Sequence, residues 1–93
     1  MIKNSFKDYN LTLAPQAKRD LKKLEIKVAK KVYEKLKELI KGTPNLDIKK
    51  LKGSDATYRL RWGDYRIIFE VEKHIVTILV ISIAHRKEAY KDY

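Results

Sequence analysis

Arginine is unevenly distributed in this 93-residue chain. Four of the five arginines, Arg59, Arg61, Arg66 and Arg86, fall in its second half, whereas the basic residues of the first half are lysine apart from Arg19. A planar guanidinium grips two phosphate oxygens at once, which the point charge of a lysine does not. A merely solvated surface gives no reason for such segregation; a phosphate site does. Arg59 and Arg61 alternate with Tyr58, Leu60 and Trp62, so in a strand they project to one face. If Tyr65, Ile67 and Phe69 share the face of Leu60, Arg66 joins the arginines, and Arg86, just beyond the last apolar run, is placed to close the cluster. The chemistry this suits is stabilisation of a phosphate gaining negative charge. The competing arrangement is a set of separate surface ion pairs with Glu70, Glu72 or Asp64.

Around the arginines stand other groups able to do chemistry. Lys50, Lys52 and Lys87 flank them and suit contacts to a nucleic-acid backbone, which makes binding salt-dependent. His85 has an ordinary pKa near neutrality and is the acid-base candidate beside Arg86, with a structural hydrogen bond as its alternative role. His74 falls in a turn, where exposure is expected. Trp62 either stacks on a base or packs at a strand end. With no cysteine and two histidines, the chain offers no thiolate or histidine cluster for a metal. Glycine-rich phosphate loops, paired carboxylates and a nucleophile elbow are missing from the sequence.

The elements that must hold these residues follow from periodicity. Tyr9, Leu11 and Leu13 alternate as a short strand. Pro15 suits a first helical position, and Ala17, Leu21 and Leu24 recur at helical spacing. A second stripe, Val28, Val32, Leu36 and Leu39, ends at Gly42 and Pro44. Lys49 to Gly53 reads as a basic loop. Tyr58 to Trp62 and Tyr65 to Glu72, separated by Gly63-Asp64, read as a β-hairpin. Val76 to Ile83 is apolar on both faces, as in a central strand. The expectation is one α+β domain over residues 1–93, in the order β-α-α-β-β-β with a short C-terminal tail, its helix hairpin packed on a small, mostly antiparallel sheet.

With 22 Lys+Arg against 12 Asp+Glu, the formal charge is +10, so polyanions are the expected partners. Between Pro15 and Lys41 ten basic residues face four acidic ones, a run that suits a solvated helical face or contact with a large RNA. The start lacks a signal-peptide core, and Ile75 to Ala84 is too short to span a bilayer, so a cytoplasmic location is expected.

Three series then carry a resemblance: Lys50-Leu51-Lys52-Gly53; Tyr58-Arg59-Leu60-Arg61-Trp62-Gly63-Asp64-Tyr65-Arg66; and Ser82-Ile83-Ala84-His85-Arg86-Lys87-Glu88-Ala89-Tyr90. Together with Ala14 to Leu24 at the first helix, they resemble RelE-type toxins of the RelE/ParE superfamily across nearly the whole chain. The resemblance implies the RelE-like microbial RNase fold and a cofactor-free, metal-independent endoribonuclease that cleaves mRNA, usually on the ribosome. In that reaction the ribose 2′-hydroxyl attacks the adjoining 3′-phosphate. By the resemblance, Arg66 and Arg86 stabilise the charge or assist the leaving group. Arg59 and Arg61 fall where relatives carry basic residues, often lysines, near the nucleophile. Tyr90 matches a C-terminal tyrosine, with Tyr93 as a rival. Lys50, Lys52, His85 and Lys87 are expected to bind RNA, and an acidic antitoxin to silence the protein. Arginine, with a pKa above about 12, does not serve as a base at neutral pH, so proton transfer is left to Tyr90 or His85. Two alternatives stand beside this reading: a ParE-like toxin that binds gyrase, and a non-catalytic RNA-binding member of the fold.

Overall fold

The computed structural model describes residues 4–85; Arg86, Lys87 and Tyr90 lie outside them. Period-two apolar alternation gives way to helical spacing at Pro15, and the chain changes element there. Strand β1 (Asn10–Leu13) ends one residue before α1 (Pro15–Lys23), whose first position is the proline. Leu24 and Glu25 then lead into α2 (Ile26–Lys41). Helix α2 buries Val32, Leu36 and Leu39 at helical spacing and leaves its lysines outside. It stops at Gly42, which takes the left-handed conformation at φ 75°, while the Thr43 N–H donates to the Glu38 carbonyl at 3.1 Å.

The remaining strands are β2 (Asp47–Lys50), β3 (Thr57–Trp62), β4 (Tyr65–Glu72) and β5 (Thr77–His85), with a single 3₁₀ turn at Lys73–Ile75. They form one five-stranded sheet in the order β1-β5-β4-β3-β2. Every pairing is antiparallel except that of β1 with β5. The expected α+β class, with two helices on a mostly antiparallel sheet, is the one observed. The sheet has one strand more than periodicity predicts, because Asp47–Lys50 pairs along the edge of β3 instead of forming a loop. Within β5 there is a bulge: Ile68 pairs with Ser82 and Phe69 with Val80, which leaves Ile81 without an opposite residue.

Both helices lie on one face of the sheet. The core between the layers joins Ala17, Val32, Leu36 and Leu39 to Ile48, Leu60, Ile67, Phe69, Val71, Ile78, Val80 and Ile83. The segment before β1 contributes as well. Phe6 is buried and meets Tyr58, Phe69 and Tyr9 edge-on with ring centroids 5.5–5.8 Å apart. Burying a phenylalanine of this kind stabilises a fold by about 1.5–3 kcal/mol. Asn4 ties the same segment to the end of α2, its Nδ2 donating to the Leu39 and Thr43 carbonyls at 3.1 and 3.0 Å. Past Val80, β5 has no β1 residue beside it, and α1 takes over: the Ile83 N–H donates to Asp20 Oδ2 at 2.9 Å.

Candidate functional site

The side chains that point away from the helices stand in cross-strand rows. One row runs Asp47, Arg61, Arg66, Ala84 from β2 to β5, and the next runs Lys49, Arg59, Ile68, Ser82. Alternation along each strand keeps these eight residues on the uncovered face, because Ile48, Leu60, Ile67 and Ile83 between them enter the core. Arg59, Arg61 and Arg66 therefore converge on one patch, with Arg61 directly opposite Arg66. Like charges set opposite one another destabilise a sheet, so this arrangement favours an anion that lies between them.

Beside the patch is a cleft of about 230 Å³ lined by Lys49, Lys50, Leu51, Lys52, Arg59 and Arg66. Strand β2 and the loop after it form one wall, and the middle of the sheet forms the floor. Five cationic side chains thus surround a space large enough for a phosphate group. Arg59 is well enclosed: its side chain is 12% exposed, and its Nη2 donates to Asp47 Oδ1 at 3.0 Å. Its Nε is buried without a hydrogen-bond partner, an unmet donor of a kind that native proteins seldom keep. Arg66 is half-buried and engaged by neighbouring groups.

The structure brings together Arg59, Arg61, Arg66, Lys50 and Lys52 among the residues named from sequence, and it adds Lys49 and Asp47. Lys49 was hidden by the reading of its segment as a loop; as a strand residue it pairs with Arg59 and shares its face. Of the ion pairs weighed in the sequence, none with Glu70, Glu72 or Asp64 is seen among the described residues; the carboxylate that Arg59 meets is Asp47. His85 lies on the opposite face from Arg59, Arg61 and Arg66. It pairs with Tyr65, on the helix-covered face, and meets that ring edge-on at 5.2 Å. Trp62 lies on the same side, packed against the core and stacked on Tyr65 at 5.8 Å. Arg86, Lys87 and Tyr90 fall outside the described residues. Among the described residues no cluster of three or more metal-ligating side chains occurs, and no helix is long and apolar enough to cross a membrane.

Comparison with known proteins places this geometry in a family. The sequence profile described as the ParE toxin of type II toxin–antitoxin systems, parDE, matches residues 11–90. The RelE1 protein of Methanocaldococcus jannaschii is 35% identical over 88 residues, covering 90% of this chain and 97% of its own. The mRNA interferase toxin RelE of Escherichia coli K12 is 29% identical over 83 residues, covering 87% and 86%. Among solved structures, the RelB–RelE antitoxin–toxin complex from Methanococcus jannaschii superimposes with a TM-score of 0.75 at 31% identity, covering 88% of this chain and 98% of the other. The isolated E. coli RelE toxin gives a TM-score of 0.71 at 27% identity, covering 90% and 93%. With a family profile matching most of its length and the same two-layer fold in its relatives, the chain belongs to the RelE/ParE superfamily of type II toxins.

Proposed function

We propose that the chain is an mRNA-cleaving endoribonuclease of a toxin–antitoxin pair, acting on messenger RNA at the ribosome. The observation that carries this reading is the convergence of Arg59, Arg61 and Arg66 beside a lysine-walled cleft on the sheet face that the helices leave open. In the reaction, the 2′-hydroxyl of a ribose attacks the adjoining phosphorus and the bond to the next 5′-oxygen breaks. A 2′,3′-cyclic phosphate and a free 5′-hydroxyl remain. One proton leaves the attacking oxygen and one is delivered to the departing oxygen. Between these events the phosphate carries extra charge, and arginines fixed in a sheet meet it without reorganising; donors of this sort contribute about 10²- to 10³-fold each. Arg66, with Arg86 from the tail, takes this role, and Arg59 and Arg61 clamp the phosphate. With His85 on the other face, Tyr90 is assigned to proton transfer. Lys49, Lys50 and Lys52 hold the flanking backbone.

The relatives crystallised with RelB support a cognate antitoxin as the partner, and a charge of +10 favours an acidic one. Mapping transcript 5′ ends after induction tests the reading. New ends clustered within codons are expected, together with their disappearance in Arg66→Ala. DNA damage without new RNA ends would instead point to a gyrase-binding toxin, and neither effect would point to an RNA-binding protein without cleavage.

A further inference from the structure

Asp47 is the only carboxylate in the two cross-strand rows that carry the arginines, and it is bonded to Arg59, whose side chain is 12% exposed. A carboxylate at a phosphate site opposes the binding of phosphate, so its presence calls for a reason. We propose that Asp47 is a positioning residue for the cleavage reaction, holding the guanidinium of Arg59 in one orientation at the cleft wall before RNA arrives. The proposal rests on the reading of function above.

Three features support it. The Arg59 Nη2 to Asp47 Oδ1 bond, at 3.0 Å, joins neighbouring strands, so it fixes the far end of a side chain that would otherwise sample many rotamers. Arg59 still lines the cleft while so engaged, and its Nε has no partner. The guanidinium thus serves Asp47 at one nitrogen and keeps other donors in hand. The choice of residue also becomes intelligible. An ammonium is one centre of charge, drawn as a whole toward the carboxylate. A guanidinium spreads five donors over a rigid plane, and can answer a carboxylate on one side and a phosphate on another. Arginine at position 59 and aspartate at position 47 therefore work as a unit.

The test is a double-mutant cycle of mRNA cleavage in a reconstituted translation reaction, using the wild type, Asp47→Ala, Arg59→Ala and the double variant. A misplaced catalytic group costs up to about 10²-fold. Asp47→Ala is accordingly expected to slow cleavage about 10- to 100-fold while RNA binding holds or tightens, and to add nothing once Arg59 is alanine. Full additivity, or an unchanged rate in a variant whose melting matches the wild type, overturns the proposal. If Asp47→Ala fails to fold, Asp47→Asn, which keeps an acceptor, replaces it in the same cycle. A second readout needs no turnover: the NMR signal of the Arg59 Nε–H. It is expected to be sharp in the wild type, to shift on addition of inorganic phosphate, and to broaden and lose that response in the Asp47 variant. An Arg59 signal identical in both proteins sinks the positioning role. Absence of cleavage by the wild type sinks the nuclease reading instead, and the NMR comparison then decides the role of Asp47 alone.

Discussion

A single side chain in this fold can be judged by whether stability or chemistry explains where it sits. Arg61 projects from β3 opposite another arginine and is only half-buried, and among the described residues its side chain makes no hydrogen bond or ion pair. Replacing it by alanine is expected to move folding stability by no more than about 0.5 kcal/mol while weakening growth arrest. Denaturant midpoints and colony counts after induction, measured on the same variant, check both halves; a loss of stability equal to the loss of toxicity would make Arg61 structural. Val76 presents the opposite case. A β-branched residue at φ 47° is strained, and its side chain is exposed. Val76→Asn keeps the turn with a residue that tolerates this conformation, and should stabilise the fold by about 1 kcal/mol, read as a higher midpoint with toxicity unchanged. Alternation alone was enough to place Arg59, Arg61 and Arg66 together, because nothing interrupts β3 or the first half of β4. Asp47 was not legible, since its meaning depends on a strand that the sequence hides.

At the scale of elements, the hidden strand has a physical cause. Asp47-Ile48-Lys49-Lys50 is rich in residues that strands disfavour and contributes one side chain, Ile48, to the core. It becomes a strand because β3 offers a free edge, and its charged residues suit an edge position. Apolar spacing marked the other elements well, since each buries a full stripe or face. The joint between α1 and β5 was invisible in the same way, as it depends on one carboxylate. Asp20 accepts the Ile83 N–H where β1 has ended, and Asp20→Ala leaves that donor without its partner. A cost of about 1–3 kcal/mol is expected, with hydrogen exchange at Ile83 rising more than at Phe69; uniform acceleration of both amides would mean that the bond is not local in its effect. Gly42 gives a second test. A Cβ there would stand 3.0 Å from Lys7 Cβ on a backbone already at positive φ, so Gly42→Ala should lower thermal stability.

Over the whole molecule, the two layers divide the work. Helices carry lysine to the outside and the core within, while the bare sheet face presents arginine. Binding of single-stranded RNA should weaken steeply with salt, by about 0.7 log units per decade for each phosphate neutralised. Lys49→Ala with Lys52→Ala should flatten that slope by about 1.4, measured as anisotropy of a labelled oligonucleotide across a salt series. An unchanged slope would remove the cleft lysines from the RNA path. The bulge at Ile81 has a consequence on this same scale. Up to Val80 the even-numbered residues of β5 look toward the helices; from Ser82 onward the odd-numbered ones do. One supernumerary residue thus inverts the parity of the strand, and His85 ends up with the aromatic rings while Ala84 joins the arginines. Deleting Ile81 would set Ser82 directly after Val80 in unbroken alternation and leave His85 opposite Tyr65 and Ala84 opposite Arg66, so the extra residue should be removable with both surfaces of the strand's last stretch unchanged.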